Sequence, residues 1–188
     1  MKLLLLAVLT AAAVFTSGCF GVNLPKQEVR ETVSYDLLPL PAEDRNFTEE
    51  VEILPFHSDS PAKYKMLHRK GTRLSVDEYS KWGQTPSAML TRLFRSAFDP
   101  SKMTDRALRL SGTILRFEAN DDSMTADLTV QYILTSQHSA DPLLVRTLTV
   151  SEPRKENTPE AFAEAMSQAA LTQIRQLKTL IREETKQK

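Results

Sequence analysis

Residues 124–135 read MTADLTVQYILT. Met124, Ala126, Leu128, Val130, Tyr132 and Leu134 alternate with Thr125, Asp127, Thr129, Gln131 and Thr135. Successive side chains of a strand point to opposite faces, so this stretch is a strand with one buried and one polar face. A polar face on so long a strand means that helices cover one side of the sheet only. Just upstream, Asn120-Asp121-Asp122-Ser123 carries the residue types of a turn. The segment before it, ALRLSGTILRF (residues 107–117), has Leu108, Leu110 and Ile114 on one parity. Leu115 and Phe117 take the other, which predicts a bulge near Ile114. Downstream, Asp141-Pro142 marks a loop, and LLVRTLTV (residues 143–150) is the last strand.

Two helices flank this three-strand unit. Thr85 is the expected N-cap of the first, with Pro86 at the first helical position, where a missing N–H costs nothing. Met89, Leu90, Leu93, Phe94 and Ala97 form its apolar stripe, and Asp99-Pro100 should end it. The second starts with the same signal, Thr158-Pro159-Glu160. Its stripe is Phe162, Ala165, Met166, Ala169, Ile174, Leu177, Leu180 and Ile181, with Leu171 off it. In the N-terminal half, Val29, Val33, Tyr35 and Leu37 share a parity and predict a strand stopped by Pro39 and Pro41. Val51 and Ile53 predict another, ended near Pro55. KYKMLHRKGTRLSVDEY (residues 63–79) reads as a hairpin with Lys70-Gly71 at its tip. The expected architecture is α+β: one domain over residues 29–183, a mainly antiparallel sheet, and two amphipathic helices packed on one face. Residues 184–188 should fray.

The first nineteen residues, MKLLLLAVLTAAAVFTSGC, follow another logic. Lys2 precedes an apolar run from Leu3 to Phe15, and small residues follow. That is a secretory signal rather than a fold element, and the run is shorter than the roughly 20 residues a membrane-spanning helix needs. Cys19 is the only cysteine. A lone cysteine in an exported chain is a free thiol, an intermolecular disulfide or a modification site. Its place directly after Ser17-Gly18 resembles the lipobox of bacterial lipoproteins. The resemblance implies a signal peptide over residues 1–18, lipid on the Cys19 sulfur, palmitate-type acylation of the new amine, and a tether over residues 19–28.

Chemistry is sparse. With glycine only at 18, 21, 71, 83 and 112, no phosphate-binding loop can be assembled, and HExxH, CxxC and GxSxG are missing. His57, His68 and His138 lie far apart in polar contexts and read as surface histidines. Asp121-Asp122 reads as turn chemistry. The formal net charge of +0 carries no basic stripe of the kind nucleic acid requires. No catalytic residue, metal or cofactor is expected, and the chain reads as a non-enzyme. Trp82 is the only tryptophan, and Tyr64 and Tyr79 precede it. It reads either as a staple on the helix that Thr85 begins or, with both tyrosines, as a partner interface, since Trp and Tyr dominate such contacts.

The order of these features is similar to one family. Tyr35-Asp36-Leu37 closes on Leu38-Pro39, then come Val51-Glu52-Ile53 and an irregular hairpin. Tyr79 and Trp82 precede a helix begun by Pro86, with Leu90 and Leu93 after it. Leu110, Ile114 and Phe117 open the long strands, and Ala165, Met166, Ser167 and Ala169 mark the last helix. The chain resembles the ABC-type transport auxiliary lipoproteins. That resemblance implies a lipid-anchored protein on the periplasmic face of the outer membrane. It also implies work beside an inner-membrane ABC transporter and a membrane-anchored MCE-domain protein, moving lipid or other hydrophobic molecules and supporting membrane integrity. Phe20 after Cys19 gives no inner-membrane retention signal under the enterobacterial rule. The partner for Tyr64, Tyr79 and Trp82 is then the MCE protein or another copy of the chain. The alternatives are another outer-membrane assembly lipoprotein, such as a lipopolysaccharide-assembly component, and a lipid-anchored periplasmic hydrolase.

Overall fold

A computed structural model describes residues 31–45, 47–60, 62–98, 104, 107–139 and 141–186. The elements run β1 (Val33–Tyr35), a single 3-10 turn (Ala42–Asp44), β2 (Val51–Ile53), β3 (His57–Ser58), β4 (Lys65–Lys70) and β5 (Arg73–Trp82). Then come α1 (Pro86–Ala97), β6 (Leu108–Asn120), β7 (Thr125–Ser136), β8 (Pro142–Pro153) and α2 (Pro159–Lys186). All eight strands belong to one sheet, ordered β1-β5-β4-β6-β7-β8, with β2 and β3 also on β6.

β6 explains that branching. One of its edges pairs antiparallel with β7 from Leu108 to Asn120. The other is shared by three short parallel segments: β2 at Leu108–Leu110, β3 at Thr113–Ile114 and β4 at Ala119–Asn120. β2, β3 and β4 therefore follow one another along β6 as one interrupted strand. Parallel neighbours need a crossover, which β5 and α1 supply. The sheet is thus mixed rather than purely antiparallel, although its longest pairings, β6 with β7 and β7 with β8, are antiparallel. The interruption between β2 and β3 lets the Phe56 ring lie over Gly112. A Cβ at position 112 would meet that ring at 3.1 Å. The expected bulge is present: pairing shifts between Ile114 and Arg116, leaving Leu115 exposed.

Ala126, Leu128, Val130, Tyr132 and Leu134 are all fully buried, as their parity requires. Tyr132 stacks on Phe94 of α1 at 5.7 Å, and its hydroxyl donates to Gln173 Oε1 of α2 at 2.6 Å. One inward side chain thus touches both helices, which places both on the same face. Gln173 also donates through Nε2 to the Leu128 and Leu148 carbonyls at 2.9 and 3.1 Å, so a fully buried amide is satisfied. The helix starts follow the sequence: Thr85 Oγ1 accepts from the Ala88 N–H, and Thr158 Oγ1 from that of Ala161.

Several expectations are corrected. β1 is only three residues long and Val33 is exposed, while Val29 lies outside the described residues. Met124 belongs to the turn, with φ +54°, and β7 begins at Thr125. Leu171 is buried, because α2 packs on β7, β8 and β1 together and needs a broader apolar face. α2 runs to Lys186. Asp127, expected on a solvated face, is buried under Asn120, Thr125 and Arg116.

The two faces of β7 should respond differently to charge. Leu128→Asp, which places an unpaired carboxylate in the core, should cost more than about 3 kcal/mol. Thr129→Asp, on the threonine-lined outer face, should cost far less. Urea unfolding of both variants checks this, and equal losses would refute the face assignment.

Candidate docking surface

β4 and β5 meet in a turn at Gly71, whose φ of +56° lies in the region that favours glycine. The Gly71 N–H donates to the Asp122 carboxylate at 2.5 Å, so the β6–β7 turn holds the hairpin tip. Met66 and His68 face the helices: Met66 is fully buried, and the His68 ring sits 5.9 Å from that of Phe162. Leu67 and Arg69 face the other way, where Arg69 makes a two-toothed ion pair with buried Glu118.

β5 changes face part-way along. Leu67 pairs with Val76, and Lys65 pairs with Lys81. Between those pairs β4 advances two residues while β5 advances five. Three surplus residues, an odd number, invert the side-chain alternation. Asp77 organises the surplus, its Oδ1 accepting the N–H groups of Tyr79 and Ser80 at 2.9 and 2.7 Å. Leu74 and Val76 therefore point outward, while Ser80 and Trp82, of the same parity, point inward.

Outside, the hairpin forms an open groove of about 800 Å³. Its apolar lining is Tyr64, Leu67, Leu74 and Val76, and Tyr64, Leu74 and Val76 are 50, 49 and 44 % exposed. Lys63, Lys65 and Lys81 also line it, together with Asp77 and Glu78. Thr32, at the start of the described chain, forms part of the wall. β1 closes that side by pairing parallel with β5 from Val33–Ser80 to Tyr35–Trp82. Tyr35 ties β1 to α2 by donating to Glu160 Oε1, and that hydrogen bond pushes the phenol up to about 12.

Of the three expected interface residues, two are at the surface. Tyr64 lines the groove, and Tyr79 stands exposed in the bulge, outside the lining. Trp82 is corrected: it is 1 % exposed and packs edge-on against Phe117 and Phe162, with centroids at 5.2 and 5.3 Å. It is a core residue because the inversion at Asp77 turns it inward. Its indole N–H finds no acceptor among the described residues. Sequence reasoning missed Leu67, Leu74 and Val76 as a surface. The available signal was Asp77, a turn-forming residue inside a strand pattern. Cys19 lies outside the described residues.

His68 is a second correction. It is half-buried rather than on the surface, with Nδ1 3.3 Å from Asp121 Oδ1. Asp121 also receives Arg154, whose enclosed guanidinium reaches Asn157 and the Asn120 carbonyl as well. This polar knot locks the β6–β7 turn to the start of α2. His57 and His138 are exposed. Among the described residues no group of three or more His, Cys, Asp or Glu is placed to hold a metal.

Fold and groove together define an α+β domain, with a sheet backed by helices on one face and an open apolar groove on the other. The profile of the family described as ABC-type transport auxiliary lipoprotein component matches residues 65–177, and the chain belongs to that family. No curated protein matches it in sequence. Two crystal structures share the fold. One, a DUF330-family protein from Xanthomonas campestris, has 19 % identity and a TM-score of 0.67, over 83 % of this chain and 97 % of that one. The other, an uncharacterised protein, has 11 % identity and the same TM-score of 0.67, over 80 % and 99 %.

Core and surface roles predict opposite stability effects in one hairpin. Trp82→Ala should lower stability by about 3–5 kcal/mol through the cavity it leaves. Tyr64→Ala should stay within about 0.5 kcal/mol of the wild type. Chemical denaturation measures both, and a neutral Trp82→Ala would return that residue to the surface.

Proposed function

We propose that this chain is a non-enzymatic, lipid-anchored subunit of an envelope transport system that moves lipid or another hydrophobic molecule. It works beside an inner-membrane ABC transporter and a membrane-anchored MCE-domain protein. Family membership as an auxiliary lipoprotein is the observation that carries this reading. Cys19, at the end of the signal segment, carries the lipid and holds the domain on the periplasmic face of the outer membrane. Two or more acyl chains suffice for stable anchoring, where one binds only marginally.

The domain's form suits such a role. Its helix-covered face is closed by aromatic packing around Tyr132 and Trp82. The opposite face is free for contacts, and no helix among the described residues is long and apolar enough to cross a membrane. In this reading attachment to the bilayer rests on Cys19, and engagement of the transporter rests on the domain surface.

Cys19→Ala should abolish palmitate labelling and release the protein from the membrane fraction. The wild type should co-purify with an MCE-domain protein after mild cross-linking. Unchanged labelling in Cys19→Ala would refute the anchor, and a labelled chain that never captures an MCE protein would refute the partner.

A further inference from the structure

The β4–β5 hairpin concentrates positive charge. Residues 63–82 hold Lys63, Lys65, Arg69, Lys70, Arg73 and Lys81 against Asp77 and Glu78, a surplus of four in a chain of formal net charge +0. Only Arg69 of the six has an ion-pair partner among the described residues. Elsewhere several arginines are matched, Arg92 to Asp36, Arg109 to Glu52, Arg175 to Asp44 and Arg182 to Glu49, while Arg45, Arg95 and Arg146 reach backbone carbonyls. On the hairpin, cations instead face each other. Lys65 is directly opposite Lys81, and Lys70 directly opposite Arg73. Like charges paired across strands destabilise a sheet. Asp77 gives little relief, since one carboxylate oxygen already receives two backbone N–H groups.

Three of these cations, Lys63, Lys65 and Lys81, line the groove of Tyr64, Leu67, Leu74 and Val76, beside Asp77 and Glu78. Exposed aliphatic and aromatic side chains rimmed by lysine and arginine match a bilayer interface, where apolar groups enter the headgroup region and cations meet anionic headgroups. Chain geometry points the same way. Thr32 forms part of the groove wall, so the segment leading from Cys19 joins the domain there. Fully extended, residues 19–32 span at most about 45 Å. A leaflet holding Cys19 is therefore within reach of the groove.

We propose that the β4–β5 hairpin is a membrane-contact surface, laying its apolar groove and unpaired cations on an anionic phospholipid leaflet. This rests on the reading that Cys19 carries the anchor. The same hairpin was expected from sequence to meet a protein. The unmatched cations and the point of chain entry favour lipid. Contact at this surface fixes the domain's orientation and leaves the threonine-lined strands β7 and β8 free for protein partners.

The test uses the lipidated full chain in vesicles of phosphatidylcholine alone or mixed with phosphatidylglycerol. Acylation of Cys19 removes the only native thiol, so Val76→Cys and Gln168→Cys each take one environment-sensitive nitrobenzoxadiazole label. Gln168 is exposed on α2, behind the sheet. The chain should float with both vesicle types. The label at position 76 should shift to the blue on anionic vesicles only, and that at 168 should not shift. The shift should vanish in about 1 M salt, where the Debye length falls to about 3 Å. It should vanish too when Lys63→Gln, Lys65→Gln and Lys81→Gln are combined, with the melting temperature unchanged or raised. A floating chain whose position-76 label never shifts, or shifts only when an MCE-domain protein is added, overturns the proposal. Flotation with anionic vesicles alone would refute the anchor while supporting the hairpin contact. Flotation with neither would overturn both.

Discussion

The hydrogen bonds from Tyr79 and Ser80 to the Asp77 carboxylate are the constraint on which the two-sided character of this domain rests. A regular strand through residues 73–82 would send Leu74, Val76 and Trp82 to the same face. All three would then be buried or all exposed. The surplus of three residues pinned by Asp77 resolves that conflict. Trp82 joins Phe117 and Phe162 in the core, and Leu74 and Val76 stay on the outer face. One strand thereby serves both the core and the outer face, and the Trp82 backbone N–H still reaches the Tyr64 carbonyl at 2.6 Å.

A second constraint lies in how β6 shares its edge. Three short parallel segments succeed one another along it, and the break between the first two has a chemical cause. Pro55 cannot donate to a ladder, and beside it the Phe56 ring takes the space that any side chain at Gly112 would need. Phe56 in turn packs on Phe94 and Tyr132 at 4.9 and 6.0 Å. The irregular edge is thus continuous with the aromatic core. Asp44 fixes the other end of the N-terminal segment. The hydrogen-bonded Arg175 guanidinium holds its carboxyl below the usual carboxylate range, and Lys178 donates to its carbonyl while lying over the Phe47 and Phe98 rings.

Most of the fold was legible where one rule dominated. The alternation of β7, the phase switch near Ile114, the Thr-Pro helix starts and the Lys70-Gly71 tip each follow from a single local preference, and the structure shows all four. The failures share another cause. The parallel pairings and the burial of Asp127 and Leu171 depend on partners remote in sequence, and the inward turn of Trp82 depends on a three-residue surplus that no alternation pattern displays. A glutamine on a helix stripe reads as polar until the Tyr132 hydroxyl and two strand carbonyls are placed around it. The candidate surface was half visible: Tyr64 and Tyr79 are exposed, but the apolar lining between them appears only once β5 is known to invert. The family resemblance rested on the order of weak motifs and named the family that the profile match shows.

Because Trp82 is the only tryptophan, intrinsic fluorescence reads the inversion directly. The decisive measurement is acrylamide quenching of Trp82 in the native wild type and in Asp77→Ala. The account predicts a blue-shifted emission almost inaccessible to quencher in the wild type, and a red-shifted, readily quenched emission in Asp77→Ala under conditions where far-UV circular dichroism still shows a folded sheet. A wild type quenched as easily as the urea-unfolded chain, or an Asp77→Ala protein indistinguishable from the wild type, would contradict it.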